Sequence, residues 1–230
     1  NDRKLGFVGV NYYDGQGFMV KKDLGVSSAK ELDGATVCIQ TGTTTELNLA
    51  DFFKQNNITY QPVTVADDAE GQRQYLAGAC DTYTTDASGL ASIRNKEAGN
   101  PEDHLILPEL ISKEPLGPSV RRGDDEFFAI VKWVVFALIE AEEYGITQAN
   151  VDQLKGSSTD PVVQRILGTS EDTGKLLGLD KDWAYRAIKA TGNYGEIFER
   201  NVGPKSALKL PRGANNLWSK GGFMYAPPVR

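Results

Sequence analysis

Short apolar runs alternate with stretches of helical period through the first half of the chain, and that alternation predicts strands and helices in turn. Leu5-Gly6-Phe7-Val8-Gly9-Val10 is an apolar opening, and Phe18-Met19-Val20 reads as a strand leaving a glycine-rich joint over 11–17. Tyr13, Gly15 and Gly17 in that joint are expected to act as a hinge. A short helix over 28–32 ends at Asp33-Gly34, and Val37-Cys38-Ile39 then forms a buried strand. Gly42 supplies a tight turn, and Thr43 with Glu46 three residues later forms a capping box for a helix with Leu47, Ala50 and Phe52 or Phe53 at helical spacing. The run 60–65 is a modest strand expected near a sheet edge, because Pro62 removes a ladder donor. A helix over 67–77 closes at Gly78, a strand follows over 80–84, and another helix passes through Leu90 and Ile93. The order β-α-β-α-β-α predicts a parallel or mixed sheet covered on both faces, with ligands beyond the carboxyl ends of its strands.

The second half has a different texture. A short strand over 104–108 and a return crossing over 116–120 lead to the most hydrophobic helix of the chain, 127–139. Phe127, Phe128, Ile130, Val131, Trp133, Val134, Val135 and Phe136 leave it almost no polar face, so it needs a core or a partner. Glu140, Glu142 and Glu143 end it against the helix dipole. Polar helical segments follow at 150–154, 160–167, 176–190 and 194–201, and the tail 203–230, rich in Gly and Pro, reads as a strap laid on a surface. No internal repeat is found.

Composition narrows the class without naming a function. The 230 residues are 40% hydrophobic and 24% charged, an ordinary globular balance with enough length for one large domain or two lobes. A net charge of −6 disfavours nucleic acid as a partner. The longest apolar stretch is interrupted by Lys132 and too short to span a bilayer. Asn1 is not an initiator Met, which is read as removal of something upstream. His104 is the sole histidine and no Cys-x-x-Cys spacing occurs, so no metal site is expected. Cys38 and Cys80 lie in similar places in two strands; they bridge if those strands are neighbours, and otherwise stand as two buried thiols.

The chemistry-bearing residues gather at strand ends. Thr43, Thr44 and Thr45 place three hydroxyls at a helix N-terminus, where unpaired N–H groups and the dipole favour a carboxylate; a capped helix holding nothing is the plainer alternative. Asp86, ending the 80–84 strand, suits an ammonium or caps the helix after it, and one carboxylate can do both. An α-amino acid carries the two matching groups. An enzyme such as a small-acid dehydratase would need a general acid, but Glu46 is explained by capping and His104 stands alone, so no catalytic residue and no cofactor is assigned.

Several stretches resemble one family. The run from Gly9 to Val20, Gln40-Thr41-Gly42-Thr43-Thr44-Thr45-Glu46-Leu47-Asn48, Cys80-Asp81-Thr82-Tyr83-Thr84-Thr85-Asp86, Ile111-Ser112-Lys113-Glu114-Pro115-Leu116, the run from Gly192 to Arg200, and the terminal Tyr225-Ala226-Pro227-Pro228-Val229-Arg230 resemble the general L-amino-acid-binding proteins of bacterial ABC transporters. The resemblance covers nearly the whole chain. It implies an α/β, type II periplasmic-binding-protein-like fold: a remnant of the first lobe and a hinge crossing over 1–19, a complete ligand-binding lobe over 20–118, and a return crossing at Pro118 into a largely helical, incomplete second part over 119–230. It also implies a Cys38–Cys80 disulfide, the ligand's α-carboxylate at Gly42, Thr43 and Thr44, and its α-ammonium at Asp86. The partners implied are an L-amino acid and an ABC permease in the periplasm.

Family members carry a further segment ahead of Leu5-Gly6-Phe7, supplying an aromatic platform and an Arg, and Arg3 is out of register with the family's Ser-Arg-Asp. The chain is therefore read as an N-terminally truncated form. Apolar surface on the 127–139 helix is expected to be left uncovered, which predicts a homodimer or higher assembly. A truncated relative serving as an interaction or sensory module is the alternative reading.

Overall fold

The computed structural model describes residues 4–96 and 99–230, so Arg3 lies outside the described residues. In chain order the elements are β1 (Leu5–Phe7), β2 (Tyr12–Asp14), β3 (Gln16–Lys21), β4 (Ala35–Gln40), α1 (Thr44–Gln55), β5 (Tyr60–Val65), α2 (Asp68–Leu76), β6 (Thr82–Asp86), α3 (Ala87–Lys96), β7 (His104–Ile106), β8 (Glu114–Leu116), β9 (Ser119–Arg121), α4 (Asp125–Glu143), α5 (Val151–Ser157), α6 (Pro161–Ile166), α7 (Trp183–Thr191) and α8 (Tyr194–Asn201). They fall into two compact units, one of Asn1–Tyr13 with Pro115–Arg230 and one of Asp14–Glu114.

The Asp14–Glu114 unit is a five-stranded mixed sheet in the order β5-β4-β6-β3-β7. β4 pairs parallel with both β5 and β6, while β3 runs antiparallel to β6 and β7. The edge position of β5 is where Pro62, opposite Val37, does least harm to the ladder. Alternation along β3 feeds both faces. Phe18 and Val20 join Val37, Ile39, Leu49 and Phe53 on one side, and Met19 joins Cys38, Tyr75, Tyr83 and Leu90 on the other. Burying each of these large side chains contributes about 1.5–3 kcal/mol.

Two expected boundaries shift for reasons visible in the hydrogen bonds. The unit begins at Asp14 rather than residue 20, because β3 is an interior strand bonded on both edges. The strand expected over 80–84 is Thr82–Asp86; Asp81 instead accepts the Thr36 N–H with its carboxylate and donates its own N–H to the Thr36 carbonyl, bending the chain before β6. Glycines in the expected joint serve close packing. Neither Gly15 nor Gly17 has a positive φ; a Cβ at Gly15 would stand 2.9 Å from the Ser112 carbonyl oxygen, and Gly17 lies within β3 against Leu90 and Ala87. Tyr13 is the last residue before the unit boundary, and Pro118 lies three residues past Pro115.

The other unit is mainly helical, with β1 and β9 paired antiparallel through Gly6 and Val120. Ala137 and Ala141 let α4 pack close to α7, in a core with Ile146, Val151, Val163, Ile166, Trp183 and Ile188. Only the last third of α4 is covered: Ala137, Ile139, Glu140 and Ala141 are buried, residues 128–136 are half-buried, and Phe127 is exposed. The three acids at its end are not all left facing the dipole alone. Glu140 accepts the Val229 N–H at 2.8 Å and Glu142 pairs with Arg212 at 3.0 Å. The tail is anchored as a strap, with Leu217, Met224 and Val229 buried while Trp218, Phe223 and Tyr225 are exposed. Asn215 holds it to Tyr13, accepting the Tyr13 N–H at 2.7 Å and donating to the Tyr13 carbonyl at 3.0 Å.

Cys38 and Cys80 form a disulfide closing 42 residues between β4 and the approach to β6. On the chain-entropy account a loop of that length stabilises by about 4 kcal/mol. Reduction, or the double substitution Cys38→Ala with Cys80→Ala, is expected to lower the melting midpoint by many degrees, measured by circular dichroism with and without reductant; an unchanged midpoint would show that the bridge adds nothing.

Candidate functional site

The carboxyl ends of β4 and β6 open into one hollow of about 260 Å³, lined by Gln40, Thr43, Thr44, Thr45, Asp68, Thr84, Thr85, Asp86 and Glu114. The two sequence-predicted sites, the threonine turn and Asp86, are thus brought together within the Asp14–Glu114 unit.

The turn is built as the sequence requires. Gly42 has φ 71°, in the left-handed region that favours glycine, and its N–H donates to the Glu46 carboxylate at 2.8 Å. This alters the expected capping box. Thr43 does accept the Glu46 N–H, at 3.3 Å, but the Glu46 side chain returns to Gly42 rather than to the cap residue's own N–H, since the left-handed turn swings the earlier amide toward the helix. Thr43 also donates its hydroxyl to the Gln40 carbonyl at 2.8 Å, so that hydroxyl is committed. Thr44 and Thr45 are different. As the first two residues of α1 their N–H groups have no intrahelical partner, and among the described residues their hydroxyls have none either.

Asp86 ends β6 opposite Gln16 of β3. The expectation that it caps the next helix is not met, because Asp14 does so: its carboxylate accepts the Ser88 N–H, and Ala87 donates to the Gly15 carbonyl at 2.8 Å. No hydrogen bond reaches the Asp86 carboxylate among the described residues. Burial, then the charges of Asp14, Glu114 and Asp68, push its pKa up to about 6. Such a group is half-desolvated, unpartnered and surrounded by like charge, which is what a missing cation would relieve.

Gln16 escaped the sequence reading and holds the site together. It is 1% exposed, and its amide nitrogen donates to the Thr45 carbonyl at 3.0 Å and to the Thr84 hydroxyl at 2.9 Å. A lone polar residue opening an apolar strand was the available signal. Asp14, Asp68 and Glu114 gave none, since acids on loops and first helical turns are common. His104 lies elsewhere in the unit, buried beside Tyr75, whose hydroxyl is 2.7 Å from its Nδ1, and burial holds its pKa down.

No protein-family model matches the chain. It is 63% identical over 226 residues to the glutamate/glutamine/aspartate/asparagine-binding protein BztA of Rhodobacter capsulatus, covering 98% of this chain and 67% of that protein. To the general L-amino acid-binding periplasmic protein AapJ of Rhizobium johnstonii it is 60% identical over 233 residues, covering 100% of this chain and 68% of that one. Among solved structures, an ABC transporter periplasmic binding protein from Brucella ovis with glutathione bound matches with a TM-score of 0.93 at 52% identity, over 99% of this chain and 71% of that one. The chain therefore spans about two-thirds of the length of the relatives it matches. The fold is the mixed α/β fold of type II periplasmic binding proteins.

The raised pKa of Asp86 has a signed consequence for stability. Its pKa in the folded chain lies above the unfolded value of 3.8, so the folded form holds the proton more tightly and loses stability as pH rises from about 4 to about 6. Asp86→Asn, which keeps the shape and removes the charge, is expected to melt higher than the parent above pH 6 and equally near pH 4. Melting curves across that range check it, and a pH-independent difference would contradict the crowding of Asp86.

Proposed function

The chain belongs to the amino-acid-binding periplasmic proteins of ABC transporters, and from that premise we propose that the hollow in the Asp14–Glu114 unit captures the head of an L-amino acid. The α-ammonium pairs with Asp86. The α-carboxylate meets the N–H groups and hydroxyls of Thr44 and Thr45 at the positive end of α1. The observation that carries the reading is the Asp86 carboxylate, which has no donor of its own among the described residues and three acids about it.

Binding here involves no bond-making. Neither a small-acid dehydratase nor a transport-incompetent interaction module draws support from relatives named as binding proteins. Delivery to an ABC permease in the periplasm is the physiological role that fits them, and no helix among the described residues is long and apolar enough to cross a membrane. BztA is named for four acidic and amide amino acids and AapJ for L-amino acids generally, so a broad preference is the reading for this chain. Glutathione, bound in the Brucella ovis protein, has the same ammonium and carboxylate at its γ-glutamyl end and would use the same two anchors. A second copy of the chain covering the half-buried face of α4 accords with the apolar side chains at 128–136.

Calorimetric titration of the 230-residue chain with L-glutamate, L-glutamine and their D-enantiomers tests the reading. Micromolar or tighter binding of the L-forms is expected, with at least a tenfold loss in Asp86→Asn and a loss of about fivefold in Thr45→Val, which sacrifices one hydroxyl but keeps the N–H. Full affinity in Asp86→Asn would overturn the assignment.

A further inference from the structure

A second hollow, of about 580 Å³, opens beside the first and is lined by Thr44, Asn48, Leu110, Ile111, Ser112, Lys113 and Glu114. Thr44 and Glu114 line both. The first hollow, at about 260 Å³, falls just below the usual range of small-molecule sites, and the second lies within it.

The walls between them are already fixed. The Gln16 main chain donates to the Ser112 hydroxyl at 3.0 Å and accepts the Ile111 N–H at 2.9 Å, while its side chain holds the Thr45 carbonyl. Ser112 in turn donates to Glu114 at 2.7 Å. One buried residue thus pins the 110–114 segment and the first turn of α1 in place.

Charge differs between the two hollows. Asp68, Asp86 and the shared Glu114 line the first with no cation, whereas the second sets Lys113 beside that Glu114; Lys113 has no ion pair or hydrogen bond to any described residue, and the Asn48 amide is likewise uncommitted. A ligand that is cationic at its head and anionic at its far end would match this arrangement.

We propose that this second hollow is a subsite for the distal, carboxylate-ended part of a side-chain-linked peptide, a γ-glutamyl peptide, whose amino-acid head occupies the first. The proposal rests on the reading of the first hollow given above. If both α-groups are held there, an ordinary peptide bond at either of them is excluded, and the ligand can lengthen only through its side chain. The γ-amide N–H then lies toward Glu114, the following residue over Leu110 and Ile111, and the terminal carboxylate toward Lys113 and Asn48.

Calorimetric titration with L-glutamine, γ-glutamylglycine and α-glutamylglycine tests it, none of which carries a thiol to disturb the disulfide. γ-Glutamylglycine is expected to bind at least tenfold more tightly than α-glutamylglycine. Lys113→Ala is expected to weaken γ-glutamylglycine about tenfold and leave L-glutamine unchanged. Lys113→Gln, which keeps a polar side chain without the charge, should behave like Lys113→Ala. If L-glutamine binds but γ-glutamylglycine does not, or if Lys113→Ala weakens both ligands equally or neither, the subsite is overturned while the amino-acid reading stands. If no ligand binds, the amino-acid reading fails and the subsite falls with it.

Discussion

The Asp86 carboxylate is held where no donor among the described residues reaches it and where Asp14, Asp68 and Glu114 add like charge. A protein selected for stability alone would place a donor there or an amide in its stead. Asp86 sits at the end of β6 opposite Gln16 of antiparallel β3, beyond the residues that pair with β4, and it remains partly exposed in the hollow. On the proposed reading, a ligand ammonium would relieve that like-charge crowding. Affinity and instability at this position would then have one physical origin.

Gln16 ties the segments of the site together. Its buried amide nitrogen bonds to both Thr45 and Thr84, while its Oε1, equally buried, has no hydrogen-bond partner among the described residues. Those bonds join three separate segments, β3, β6 and the first turn of α1, at the mouth of the site. Through its main chain the same residue also fixes the 110–114 segment. The first turn of α1, β6 and the 110–114 segment are therefore tied to one residue, which on the proposed reading would lower the ordering cost of binding.

The helical unit solves a different problem. α4 is too apolar for a surface helix and carries acids at its C-terminal end, two unfavourable features that its neighbours partly offset. Arg212 reaches Glu142 from the tail, stacked over Tyr194 and Phe198, and the Val229 N–H reaches buried Glu140. The tail that looked like a strap is in this sense the partner of α4. The turns at 128–136 keep their apolar side chains half-buried.

Much of the Asp14–Glu114 unit was legible in the chain. Period-two and period-3.6 patterning located its strands and helices, Pro62 marked an edge, and Gly42-Thr43 marked a helix start, because each of these signals acts on neighbours within a few residues. The residues at two strand ends could likewise be named as candidates. What local pattern does not contain is which strand inserts where. That β3 runs antiparallel into the sheet, that Asp14 and not Asp86 caps α3, and that Gln16 gathers three segments all depend on pairings between residues far apart in sequence. The sequence by itself thus determined the elements and the type of chemistry at their ends. Only the tertiary structure decided which carboxylate is left without a partner, because desolvation and the sum of surrounding charges exist only once the strands are packed.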